Sequence, residues 1–386
     1  MKIAMLSWES LHSISVGGVG VHVTELAAAL QRKGHEVHIF TRMAAGQPHY
    51  QDIHGVHYHR CPFYLKPDFI DEIHGMCQSF VDHVFATEDY MGTPFDVIHA
   101  HDWLAANAMI WIKQGRGRKG IFTIHSTEYG RCGNVFHAGQ SQDVREQERA
   151  ATYWADRVVA VSGALKGEVC WMYEVPDWKV DVVYNAVNPN HFDGWLDPGE
   201  IKARYSTGPI DPMVLFAGRL VEQKGPDILV EAIPMVLHHH PLTKFVFAGD
   251  GELRGQCERR AHELGVAHAT RFIGHKSGGE LQALFKACDV VCVPSRNEPF
   301  GIVVLEAWSA GKPVVATING GPNEFVWHEV NGLKISPHPE SVAWGLGTLF
   351  TNFEWARWMG GNGRVAAEEA FNWNVIADQM LQSYHS

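Results

Sequence analysis

Two carboxylates eight residues apart, Glu298 and Glu306, frame a turn of unusual composition. It reads Pro294-Ser295-Arg296-Asn297-Glu298-Pro299-Phe300-Gly301 and runs on into Ile302-Val303-Val304-Leu305-Glu306-Ala307. A carboxylate accepts from two hydroxyls at once, which suits a sugar or a ribose. The apolar run Val290–Val293 precedes the turn, and a helix is predicted to start near Gly301. The N–H groups near Phe300 and Gly301 are then placed to take further oxygens. Glu306 sits between Leu305, Ala307 and Trp308, so it is expected to be part-buried and to need a partner.

A second cluster is Gly218-Arg219-Leu220-Val221-Glu222-Gln223-Lys224-Gly225, directly after the apolar run Val214–Ala217. Arg219 offers a fork of donors and Lys224 a point charge, together enough to hold a diphosphate. Two solvated surface cations are the alternative, but their setting beside glycine in an acidic chain favours the diphosphate. A third cluster, Gly17-Gly18-Val19-Gly20, opens a helix, where backbone N–H groups attract anions and glycine permits close approach. It fails as a dinucleotide fingerprint. From Gly18 it continues Gly-Val-Gly-Val-His-Val without a third glycine, the preceding loop is long, and Thr41-Arg42 ends the second strand with no acid for a ribose. A tight turn and a phosphate loop both remain open.

Strands and helices alternate around these clusters. Strand-like runs are Ile3–Leu6, Val37–Phe40, Val97–His99, Ile121–Ile124 and Val158–Val161, with helix-like stretches Val19–Lys33, Phe69–Ala86, Leu104–Lys113 and Val144–Ala155 between them. Such alternation means βαβ units and a parallel sheet, and fully apolar strands fit a sheet covered on both faces. Residues 185–199 are dense in Asn, Asp, Pro and Gly and break the pattern. A second series follows: Val214–Ala217, Phe245–Ala248, Arg271–Ile273, Val290–Val293 and Val314–Ala316. The expected fold is α/β, two Rossmann-like halves facing a central cleft. Residues 1–185 form the first half and 186–370 the second, and 371–386 read as one amphipathic helix. A ligand is expected at the carboxyl ends of the strands.

Composition narrows the function. The chain has 386 residues and a formal charge of −11, which argues against broad attraction to nucleic acid. No stretch reaches 18 apolar residues and no signal peptide is evident at the amino terminus, so a cytoplasmic protein without a membrane span is expected. Seven scattered cysteines without Cys-x-x-Cys fit reduced thiols. Despite 24 histidines there is no His-Glu-x-x-His pair, and no metal site is predicted.

The pair Glu298…Glu306 matches the Glu-x7-Glu motif of retaining glycosyltransferases, and the chain resembles glycosyltransferase family 4, of the GT-B fold. The resemblance also covers Gly17–Gly20, His99-Ala100-His101-Asp102-Trp103, Gly218-Arg219 with Lys224-Gly225, Ala248-Gly249-Asp250-Gly251 and the run from Glu306 to Val315. It implies that Arg219 and Lys224 bind a donor pyrophosphate, with Gly18 and Gly20 bringing backbone near it. Glu298 would bind hydroxyls of the transferred sugar, helped by the Phe300 and Gly301 amides, and Glu306 the ribose. Ile273 would pack on the base, His125 would touch the sugar near the reacting carbon, and His101 and Asp102 would line the acceptor side. From the residues alone, Asp102 reads as a helix N-cap. The resemblance also implies that the helix over 371–386 crosses back onto the first half, and that the activity is transfer of a hexosyl unit, with glucosyl favoured, from a nucleoside-diphosphate sugar to a sugar, glucan or other hydroxyl acceptor. The chain most resembles the glycogen-synthase and sucrose-phosphate-synthase side of the superfamily. No Asp-x-Asp is present, so cationic side chains are expected in place of a divalent ion, with no cofactor. The alternatives are a nucleotide-sugar epimerase or hydrolase on the same frame, and a non-catalytic binder of such sugars. The base and the oligomeric state are not set by these motifs.

Overall fold

The computed structural model describes all 386 residues. The chain divides into two compact units. The first comprises 1–129, 135–185 and 373–386, and the second 130–134 and 186–372.

The first unit is built on an eight-stranded sheet. Its strands are β1 (Lys2–Ser7), β2 (Glu36–Arg42), β3 (Tyr50–Ile53), β4 (Val56–Cys61), β5 (Val97–His101), β6 (Lys119–Ile124), β7 (Arg157–Ala160) and β8 (Val180–Val182), in the order β3-β4-β2-β1-β5-β6-β7-β8. All neighbours are parallel except β3 with β4. That antiparallel edge hairpin departs from the wholly parallel sheet expected. β3 is largely exposed and β4 alternates buried with half-buried positions, as a hairpin at a sheet edge should. The inner strands are buried on both faces by helices such as Gly18–Arg32 and Trp103–Arg116.

The helix Trp373–His385 belongs to this unit although the second unit intervenes in sequence. Its buried face, Trp373, Ile376, Ala377, Met380 and Tyr384, follows the 3.6-residue period. It packs on the helix Gly18–Arg32, where the Lys33 ammonium pairs with Asp378 at 2.7 Å. Tyr384 Oη lies 2.7 Å from His99 Nδ1 in the sheet.

The second unit has a six-stranded, wholly parallel sheet of β9 (Met213–Ala217), β10 (Lys244–Ala248), β11 (Thr270–Phe272), β12 (Val290–Val293), β13 (Val314–Thr317) and β14 (Leu333–Ile335), in the order β11-β10-β9-β12-β13-β14. This is the Rossmann order, and it reverses between β9 and β12. The loops after those two strands carry the Arg219–Lys224 and Pro294–Gly301 segments, at the point where open α/β sheets bind ligands.

A histidine pair makes the first unit acid-sensitive. On β2 and β4, His38 Nδ1 lies 2.9 Å from His59 Nε2, His59 stacks on Phe40, and His38 Nε2 contacts Glu36 at 3.1 Å, with His57 alongside. Burial first, then neighbouring histidines, pushes His59 down to about 3. His38 falls to about 4 through burial, against its bond to Glu36. Both remain neutral in the fold while the unfolded chain takes up protons below roughly pH 6.5. Their stabilising contribution is therefore present above that value and is lost as pH falls, by up to about 1.4 kcal/mol per pH unit for each ring. His59→Phe should reduce the slope of unfolding free energy against pH between roughly 6 and 5 by about that amount. An unchanged slope in urea titrations would contradict it.

Candidate active site

In the second unit the structure joins two of the expected residues, Lys224 and Glu298. Lys224 Nζ donates to Glu298 Oε1 and Oε2, both at 2.8 Å, and Ser295 Oγ donates to Oε2 at 2.8 Å. The Glu298 side chain is only 5% exposed and that of Lys224 23%. The two loops are pinned by backbone: Arg296 N–H donates to Gln223 O at 2.9 Å, and Gly225 has φ +66°. A Cβ at Gly225 would sit 2.4 Å from Pro294 O, so only glycine closes this junction. Glu298 is held from its other side as well. Its N–H donates to Asn319 O, and the Gly321 N–H donates to Glu298 O at 2.8 Å.

Arg219 is exposed, and its guanidinium donates to Gln223 Oε1 at 3.3 Å. Gln223 is buried, with its Nε2 lacking a hydrogen-bond partner. Phe300 is buried against Phe325. Gly301, at φ +99°, starts the helix Ile302–Ser309, which carries Glu306. The Glu306 carboxyl is crowded by protein, and burial pushes it up to about 7. Ile273 follows β11 and is half-buried.

In the first unit, Gly18 is exposed and Gly20 is buried at the start of the helix Gly18–Arg32. The anion at this end of the helix is internal. Glu9 Oε2 accepts from the Val16 and Gly17 N–H groups at 2.5 Å each, and a Cβ on Gly20 would lie 3.4 Å from it. Nothing in the spacing of Glu9 announced this, since the contact depends on how the loop between β1 and the helix folds back.

At the ends of β5 and β6 stand His101, Asp102 and His125. Asp102 occupies the N-cap position but its side chain makes no cap bond. Its Oδ1 accepts from the His125 N–H at 2.8 Å, and its backbone sits at φ +58°. The N-cap reading is thereby corrected: the carboxylate ties one strand end to the next, with left-handed backbone of the kind concentrated at functional sites. His101 Nδ1 lies 3.2 Å from His125 Nε2, and His22 packs edge-on to both. Burial pushes His125 down to about 3 and His22 and His101 well below the usual range, so all three are neutral. His99 is a core residue with both nitrogens satisfied, by Tyr384 and Thr123.

Ser295, Gln223 and His22 were not singled out from sequence. For His22 a signal existed, because it shares the helical stripe of Val23, Leu26, Ala27 and Leu30. For Ser295 and Gln223 there was none.

The comparisons with known proteins agree with this architecture. The model described as Glycosyltransferase Family 4 matches residues 16–191, and Glycosyl transferases group 1 matches 200–365. An uncharacterized glycosyltransferase of Methanocaldococcus jannaschii is 37% identical over 392 residues, spanning 100% of this chain and 98% of the relative. The glycogen synthase of Mycobacterium tuberculosis is 28% identical over 400 residues, covering 100% and 94%. The structure of Anabaena HepE in complex with UDP and glucose shares the fold with a TM-score of 0.78 at 20% identity, covering 100% and 99%. With two parallel-sheet units and both family models matched in order along one chain, the protein belongs to glycosyltransferase family 4 and has the GT-B fold.

Proposed function

We propose that the chain transfers a hexosyl unit, glucosyl in the first instance, from a nucleoside-diphosphate sugar to a sugar, glucan or other hydroxyl acceptor, with retention at the anomeric carbon. The observation that carries this is the Lys224–Glu298–Ser295 arrangement at the reversal of strand order. The similarity to a glycogen synthase, and the fold shared with a UDP- and glucose-bound protein, support the donor class.

The hydrogen-bond inventory of that arrangement supports a role for each residue. An ammonium has three N–H donors. Lys224 directs bonds to the two Glu298 oxygens and keeps a donor for a phosphate oxygen. Glu298 Oε1 accepts only from Lys224 among the side chains and so retains capacity for a sugar hydroxyl. Arg219 adds its guanidinium to the diphosphate. As the glycosidic bond to phosphate breaks, charge develops on the leaving diphosphate and these cations stabilise it. Glu298 is a sugar-binding group, and the acceptor hydroxyl attacks from the face of the leaving group with donor phosphate as base. Cationic side chains take the place of a divalent ion at the diphosphate, so chelators should not lower transfer. The cysteines, all thiols, fit a cytoplasmic setting.

The deciding experiment is proton NMR of the product made from an α-linked donor. An α product supports retention and a β product ends the proposal. Donor consumption with and without acceptor separates transfer from epimerisation or hydrolysis.

Glu306 supplies a pH signature. Burial raises its carboxyl to about 7, and the ionised form, with two charged acceptor oxygens and no donor, is the stronger partner for two ribose hydroxyls. Donor binding therefore favours the carboxylate, and affinity grows as pH rises through that value. The KM for donor should fall about tenfold between roughly pH 6 and pH 8. Glu306→Gln should remove that dependence and raise KM by about 10- to 100-fold. A variant retaining the same profile would show that Glu306 does not face the ribose.

A further inference from the structure

The geometry points to a transition-metal site in the first unit, formed by His22, His101 and His125, that binds Zn²⁺. Each ring offers a nitrogen, and these nitrogens all lie within 4.8 Å of one another. The His101–His125 nitrogen separation of 3.2 Å is already that of two imidazoles on one tetrahedral ion, about 3.3 Å for bonds of ~2.0 Å. His22 brings the third nitrogen within 4.8 Å of the other two.

Two further observations independently call for a ligand. His22 Nε2 is buried without a hydrogen-bond partner, on a residue only 1% exposed. A buried imidazole nitrogen left so is costly, and native structures rarely keep one without a water or ion to fill the role. The orientation of His22 is also prepared. Its Nδ1 lies 2.6 Å from Asn185 Oδ1, so the proton sits on Nδ1 and the Nε2 lone pair is left for a ligand. This is the outer-shell hydrogen bond that metal-binding histidines commonly make. Trp373, edge-on to His22, closes the apolar side.

The donor set decides the metal. Three neutral imidazoles without a carboxylate suit Zn²⁺, Co²⁺ or Ni²⁺ and do not suit Mg²⁺ or Ca²⁺, which take oxygen ligands. The residues lie on one helix and two strand ends at positions 22, 101 and 125, so no linear spacing announces the site. Resting further on the proposed transferase reading, an ion there would engage His101 on the acceptor side and His125 beside the reacting carbon, and Zn²⁺ would inhibit transfer.

The test uses the full chain, stripped with a chelator, then dialysed against Zn²⁺ and assayed by elemental analysis, with Co²⁺ absorption reporting coordination. The expected result is stoichiometric retention of Zn²⁺ and a tetrahedral or five-coordinate Co²⁺ spectrum. Retention should be lost in His22→Gln, and affinity should fall about 10- to 100-fold in Asn185→Leu. His125→Gln, at a less buried position, serves should His22→Gln fail to fold. No retained Zn²⁺, or equal affinity in these variants, overturns the site; equal affinity would move the ion to the thiols or to His238–His240. Inhibition is read separately. Zn²⁺ bound by these residues without effect on transfer leaves the site standing and removes only its link to the acceptor side.

Discussion

Lys224→Ala is expected to lower kcat for sugar transfer by about 100- to 1000-fold, the loss typical of removing one group that stabilises charge developing in a transition state. The same substitution should also destabilise the second unit. Glu298 is nearly inaccessible to water, and Lys224 donates to both of its oxygens. Taking the cation away leaves a buried carboxylate with the Ser295 hydroxyl and costs about 2 kcal/mol, less than a fully buried pair because Lys224 is partly hydrated. Glu298→Gln should cost less stability, since the partly hydrated ammonium is left unpaired more cheaply than a buried carboxylate. The double variant should regain part of the stability lost in Lys224→Ala and none of the activity. That pattern separates charge compensation within the fold from action on the diphosphate. Folded Lys224→Ala with transfer within a few-fold of the parent would refute the proposed role. Lys224→Arg is no safe replacement, because a planar fork spends its donors differently from a rotating ammonium.

Gly363→Ala should lower the melting temperature of the second unit by about 4–8 °C, although helix propensity alone favours alanine by up to about 1 kcal/mol. Gly363 lies inside the helix Phe353–Glu369, and a Cβ there would come 2.2 Å from Trp308 Cδ1. The indole cannot retreat. It is 0% exposed, and its Nε1 donates to Asn331 O at 2.9 Å. Overpacking of this kind costs about 3 kcal/mol and outweighs the propensity gain. Trp308 sits two residues after Glu306 on the same short helix, so donor KM should rise as well. Gly361, two residues earlier with nothing within 4 Å of its Cβ, is the control. Gly361→Ala should stabilise by about 0.5–1 kcal/mol. If both substitutions stabilise, as measured by thermal unfolding, the packing argument fails.

The strands that sequence made legible were those buried on both faces, such as Ile3–Leu6 and Val290–Val293, because an uninterrupted apolar run has few other destinies. Val56–Cys61 was missed because its apolar positions alternate with His57, His59 and Arg60. Leu333–Ile335 and Val180–Val182 are too short for periodicity to register. Arg219, Lys224 and Glu298 were legible because each follows an apolar strand by a few residues, which sets it at a strand end. Their partners were not: the Lys224–Glu298 bond spans 74 residues and His22–Asn185 spans 163. Asp102 was misread because a cap rule based on neighbours in sequence competed with a bond to the next strand, and the bond won.

The closing helix gives this protein an awkward birth. Residues 1–185 leave the ribosome first, yet the face of the helix Gly18–Arg32 that receives Trp373–His385, and the His99 nitrogen that meets Tyr384, must wait until residues 186–372 have also been made. At roughly 5–20 residues per second that interval lasts about 10–40 s. Throughout it the first-made unit carries an uncovered apolar stripe while the strands of the second are still being added. The part begun first is finished last, and its bare stripe is what a chaperone would meet at the exit tunnel.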